Sequence, residues 1–450
     1  LDNLDARTKM IVIVGRPYNS CDSGMNLDLP RKLLGMDTLP VPMDMLPLDE
    51  VQAGPEWKSM YWHYGQRIMR AARFIREHQH IYALYVTNFG CGPDSFLLKF
   101  FARELCDKPF LQIEIDEHSA DAGAITRCEA YLDTITSYNG SMPRMAKGGP
   151  VLALGLQNHK STMFIPNMCN HAFVLESVAR SLGMEARVMD PPDEESISLG
   201  RKYTTGKECY PALLTTGDMI RESRRSGFDP GRSAFFMPSA SGPCRFGQYA
   251  QLHRHVLDSL GYQDVPIITL DQDVDYHKDV QALNSASQRL IWQGFTAVDT
   301  LERLRLSTRP YEKTKGDTDA LFMQALDTLR ARLLRRENPA PVISQFAPRF
   351  RALNSYQKGT KPLIGIVGEI YIRSNPPGNE HIIEALEALG VETALAPISE
   401  WMDYATLMRR RRNVVMGNYI SAARDYLIEH TMHWIDRRMA VRGGLQREAH

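Results

Sequence analysis

The chain has no surplus of either charge: 53 Lys and Arg stand against 53 Asp and Glu, for a formal net charge of +0. A general nucleic-acid binder carries a basic excess, so that class is disfavoured. No apolar run approaches the roughly 18 residues needed to cross a bilayer, which disfavours a membrane protein. The opening LDNLDARTKM has no signal-peptide core, which points to a cytoplasmic setting. It does not begin with an initiator Met, which reads as a processed chain or a piece of a longer polypeptide. Cysteine is scarce: seven residues in 450, scattered and odd in number, with no C-x-x-C pair. A disulfide framework, a structural zinc site built on a close pair, and a thioredoxin-like redox pair are all poor readings of that pattern. A G-x-x-x-x-G-K-[ST] phosphate loop is missing as well.

What the chain does contain is ordinary for a globular protein, 43% hydrophobic and 24% charged. Its length suits about two to four domains. Apolar β-type runs, among them MIVIV (10–14), IYALYV (81–86), TMFI (162–165) and LIGIVG (363–368), alternate with segments of helical period. That alternation predicts an α/β fold: repeated Rossmann-like, flavodoxin-like parallel-sheet domains with flanking helices. NGSMPRMAKGGP (139–150) reads as a linker. The expected organisation is a first cysteine-bearing α/β domain at 1–150 and a second at 151–310. A helical linker at 311–358 and a third α/β unit without cysteines at 359–450 follow. Within the helical stretch, Leu321, Ala325, Leu329 and Leu333 fall on one face.

An internal repeat supports this division. Cys21 precedes the Gly of an LGM triplet, Gly35, by the same interval that separates Cys169 from Gly183. In a third copy the matching glycine is Gly390, and the same interval leads back to Pro376. The two thiol-bearing halves also agree further on, with Cys91 in VTNFGCGPDSF and Cys244 in MPSASGPCRFGQY. All four thiols follow β-type runs, where parallel sheets gather their ligands. Cys128 and Cys209 have loop settings too, giving three per domain: Cys21, Cys91, Cys128 and Cys169, Cys209, Cys244.

A lone cysteine usually packs as a small hydrophobe, and Cys106 at a helix end fits that description. A nucleophilic thiol needs only one cysteine and leaves a duplicated set unexplained. Iron–sulfur ligation remains, because soft thiolates far apart in sequence can share a cluster. Gly90, Gly92 and Gly242 would let backbone N–H groups approach such a cluster. Lys207, Arg245 and Gln248 flank the thiols and could donate to an anionic cluster or hold substrate. His118, among Asp116, Glu117 and Asp121, is a proton or metal site only if it is more than a solvated loop.

GRPYNSC, NFGCGPDSF, GRKYTTGKECYP and SGPCRFGQY together resemble the 2-hydroxyacyl-CoA dehydratase-related superfamily. The similarity is greatest to double-cubane cluster proteins and to the dehydratase-like region of large activase-associated proteins, over about residues 10–430. The resemblance implies an ATP-hydrolysing activase, separate or fused upstream, that supplies low-potential electrons. It implies an [8Fe-9S] double cubane held by two sets of three Cys and used to reduce a small-molecule substrate, in a homodimer. Two alternatives stand beside it: a [4Fe-4S] radical 2-hydroxyacyl-CoA dehydratase-like component, and a cluster-free scaffold that binds an activase.

Overall fold

The computed structural model describes residues 9–138, 148–149, 151–153, 161–269 and 285–445, apart from 53, 58–59, 91, 241 and 355–358. The expected linker at 139–150 therefore lies almost wholly outside the described residues. The chain is α/β, and every strand pair whose register is described is parallel. Contacts group it into two compact units. The first comprises Leu1–Val151, Lys202–Ala212 and Ser239–Gln263; the second comprises the remainder.

In the first unit, β1 (Met10–Val14), β2 (Leu39–Pro42), β3 (Ile81–Thr87) and β4 (Phe110–Glu114) form a sheet of order β2-β1-β3-β4. Both β1 and β3 are buried along their whole length, as continuous apolar runs in a doubly covered parallel sheet should be. Alternate residues serve alternate faces. Ile11, Ile13, Leu84 and Val86 pack with Leu29, Leu33, Tyr131 and Ile135 on one side. On the other face, the Tyr85 ring meets Phe101 edge-on at 5.2 Å. The strand order reverses between β1 and β3, so a crevice opens beyond their C-terminal ends. A Cβ on Gly15 would lie 2.6 Å from the Val86 carbonyl oxygen, so only glycine lets the chain leave β1 so close to β3.

A second sheet comprises β5 (Val151–Ala153), β6 (Thr162–Ile165), β7 (Ala186–Val188), β8 (Ser233–Phe236) and β9 (Ile267–Thr269), in the order β5-β9-β8-β6-β7. A separate parallel pair joins β10 (Leu363–Ile366) to β11 (Glu392–Leu395). Leu321, Ala325, Leu329 and Leu333 lie on helix Asp317–Leu334 and are buried against helices Ser285–Leu306 and Ala340–Leu353.

The third copy repeats the first in backbone detail. Met10 pairs with Leu39 and Leu363 with Glu392, the same separation in each. Leu27 and Asp28 have φ of 54° and 51°; their counterparts Glu380 and His381 have 55° and 56°. Asn26 Nδ2 donates to the Ser20 carbonyl at 3.4 Å, and Asn379 Nδ2 to the Arg373 carbonyl at 3.3 Å. In this register Cys21 corresponds to Ser374. That corrects the alignment on LGM, which put Pro376 in the thiol's place. The cause is the second helix, which runs longer in the third copy (Ile382–Ala388 against Leu29–Leu34).

Candidate thiol site

The cysteine-bearing loops of the first unit are placed by the strand ends and fixed by polar contacts. After β1, Pro17 opens a short helix, Pro17–Ser20, and Cys21 caps it, exposed. Arg16, just before that helix, reaches Asp94 at 3.4 Å and the Tyr18 hydroxyl at 2.9 Å. Asp94 is buried at the start of helix Asp94–Leu105, where it also accepts from the Thr87 hydroxyl at 2.6 Å. Burial disfavours charge on Arg16, but Asp94 and Tyr18 outweigh it and raise its pKa.

After β3 the chain turns through Gly90 and Gly92, with φ of 58° and 61°. Cys91, between them, lies outside the described residues. A Cβ on Gly90 would meet the Lys207 side chain at 2.8 Å, and one on Gly92 would lie 3.7 Å from Arg16 Nη2. This turn is thus held between Arg16 and Lys207, and Lys207 pairs with Glu114 at the end of β4.

Lys207 and Cys209 belong to a turn closed by Glu208. Its carboxylate accepts from the Thr205 N–H at 2.9 Å and from the Thr205 hydroxyl at 2.8 Å. Cys209 Sγ stands 2.6 Å from Tyr249 Oη. Burial pushes the Cys209 thiol up, while Tyr249 and Arg245 oppose that rise and nearby Cys244 adds to it. Cys244 is exposed and precedes Arg245, whose Nη1 donates to Ser95 Oγ at 3.1 Å. Trp62 Nε1 donates to the Pro243 carbonyl at 3.0 Å, and the Tyr249 ring stacks on Phe96 at 5.8 Å. Gly242 has a φ of 139°, and Gln248 is buried with Oε1 lacking a hydrogen-bond partner.

Three expected residues fall elsewhere. Cys128 is not in a loop. It lies within helix Asp121–Ser137, 1% exposed, in the apolar cluster with Ile115, Ala124 and Tyr131. Burial pushes its thiol up to about 11, the reverse of what a thiolate ligand needs. Cys169 belongs to the second unit and sits beside His171. His118 has a side chain 85% exposed, and its N–H donates to Asp116 at 3.0 Å. Ser119 and His118 lower the Asp116 carboxyl by hydrogen bonding, which describes a solvated turn. Sequence reasoning missed Arg16, Asp94, Ser95 and Tyr249. Each lies three to five residues from a candidate thiol, inside the motifs GRPYNSC, NFGCGPDSF and SGPCRFGQY.

Among the described residues, no three His, Cys, Asp or Glu side chains are grouped as a metal site. The donor chemistry still fits a thiolate-bound group. Cys21, Cys209 and Cys244 come from separate loops of one unit, and Arg16, Lys207 and Arg245 supply positive charge beside them. No protein-family model, curated protein or solved structure matches the chain.

Proposed function

We propose that the protein is an iron–sulfur oxidoreductase that takes low-potential electrons from an ATP-hydrolysing activase and passes them to a small-molecule substrate. The observation that carries this reading is that Cys209 and Cys244 lie near each other beside Arg245, while Lys207 lies against Gly90 and Arg16 against Gly92. When bound, the cluster supplies one-electron chemistry that no side chain here can perform. The chain's own residues hold and tune it. The four thiols are its ligands. Tyr249 donates to the Cys209 sulfur, and the three cationic side chains offset negative charge. Gly90 and Gly92 carry no side chain that would keep a cluster from the backbone of this turn.

Four thiols favour a single [4Fe-4S] cluster over an [8Fe-9S] double cubane. Burial takes Cys128 out of the ligand set, which leaves fewer than the two sets of three thiols that a double cubane needs. Among the described residues no helix is long and apolar enough to cross a membrane. A cytoplasmic, reducing setting suits free thiols. A homodimer belongs to the same proposal. Anaerobically purified protein should be brown, bleach on adding dithionite, and then show the electron paramagnetic resonance of a reduced cluster. Colourless, iron-free anaerobic protein contradicts the reading and leaves the activase-binding scaffold.

A further inference from the structure

The second unit contains a cleft that the thiol site does not use. It is an open cleft of about 690 Å³ when the solvent at its mouth is included. Part of its wall follows parallel strands: Cys169 to His171 after β6, Arg373 and Ser374 at the end of the short helix Ile370–Ser374 after β10, and Ala396 to Ile398 after β11; helix Ser285–Leu306 supplies Asp299 and Arg303. The C-terminal ends of parallel strands are where such folds bind ligands. The repeat sharpens the point, because Ser374 occupies the place that Cys21 holds in the first unit.

The polar lining is unusually short of partners. His171 is buried, its Nε2 is 3.0 Å from Asp299, and the Cys169 thiol lies beside the same ring. Arg373 Nε and Ser374 Oγ are buried without hydrogen-bond partners. Glu384 Oε2 is likewise buried without a hydrogen-bond partner, although Oε1 of the same carboxylate accepts from Arg309 Nη1 at 3.4 Å. Leaving such groups unpaired costs about 1–3 kcal/mol each, so their grouping on one cleft is an expense that a ligand can offset. Arg303 on the same wall adds positive charge, whereas Arg309 is already committed to Glu387 at 2.7 Å.

We infer that this cleft binds a small molecule bearing a carboxylate or phosphate. Its anionic group is received by Arg373 and Ser374, and a hydroxyl or ammonium of the same molecule donates to Glu384. Cys169 lies on the wall as a built-in reporter. The site is independent of the iron–sulfur reading, because it uses none of the proposed ligands and its test needs no cluster.

The test compares alkylation of Cys169 by anionic iodoacetate and neutral iodoacetamide, read by peptide mass. In both reactions the sulfur displaces iodide and forms an S–C bond. The iodoacetate-to-iodoacetamide ratio at Cys169 should be about tenfold higher in native protein than in urea-denatured protein, as expected for about 1.4 kcal/mol of anion preference. Arg373→Gln should abolish the excess. Arg303→Gln, which loses no described partner, should reduce it even if the first variant fails to fold. Inorganic phosphate and succinate are then tried as protecting probes. Protection by phosphate alone assigns a phosphate ligand, and protection by succinate alone a carboxylate. Equal ratios in native and denatured protein, an excess that survives in both folded variants, or protection by neither anion overturns the site.

Discussion

Tyr249→Phe removes the phenol that meets the Cys209 sulfur at the thiol site. The phenol lies 2.6 Å from Cys209 Sγ, and the substitution deletes only its hydroxyl. The ring remains, so stacking on Phe96 at 5.8 Å with an interplanar angle of 7° should persist. A hydrogen bond to a charged acceptor contributes about 1.5–3 kcal/mol. The contact opposes the rise that burial imposes on the Cys209 thiol, so removing it should push that thiol further up. The thiolate fraction near neutral pH should fall by about ten- to a hundredfold. Iodoacetamide labelling of Cys209 in apo protein, followed by peptide mass across pH, measures this directly. In cluster-loaded protein the same variant should lower the reduction potential by at most about 65–130 mV, since one tenfold change in equilibrium corresponds to 59 mV for one electron. An unchanged Cys209 labelling profile, in a variant with an unchanged unfolding midpoint, would refute the assignment of Tyr249 to the sulfur.

The remaining predictions concern the frame. Cys128→Ser places a hydroxyl in an apolar core and should cost about 1–3 kcal/mol in urea unfolding, with no change in iron content. Asp299→Asn breaks the buried contact with His171 and should cost about 3–5 kcal/mol near neutral pH. Burial alone would lower His171, but Asp299 and Cys169 outweigh it and raise the imidazole from 6.5 to about 10. The contribution of that charge is therefore complete below about pH 6.5 and is lost as pH rises through about 10. Denaturation curves of the two proteins should converge above that pH; a gap that widens there contradicts the pairing. Gly217→Ala sets a Cβ 1.8 Å from the Ser196 carbonyl oxygen, and its unfolding free energy should drop by about 3 kcal/mol.

Much of the frame was legible in the sequence. MIVIV and IYALYV are apolar at every position because both faces of β1 and β3 are covered. The glycine and proline turns after them marked the sheet ends where loops gather. The period of helix Asp121–Ser137 also contained the answer for Cys128: Ala124, Cys128, Tyr131 and Ile135 recur at three- and four-residue spacing and face the core together. Reading that thiol as a loop residue ignored its helical neighbours. The match of Cys21 to Ser374 needed the backbone, since an added stretch of helix shifts the later glycine while β10 and β11 keep their register. The meetings of Cys209 with Tyr249 and of Arg245 with Ser95 join distant segments, and no local pattern encodes such pairings. The unpartnered atoms of the second cleft are likewise a product of packing.

Iron and acid-labile sulfide content of anaerobically purified protein tests the central claim most directly. The account predicts about four irons per chain, consistent with one [4Fe-4S] cluster. Cys209→Ser and Cys244→Ser should each lose that iron, while Cys106→Ser and Cys128→Ser should retain it. No iron in the parent protein, or full iron retention in both Cys209→Ser and Cys244→Ser, would contradict it.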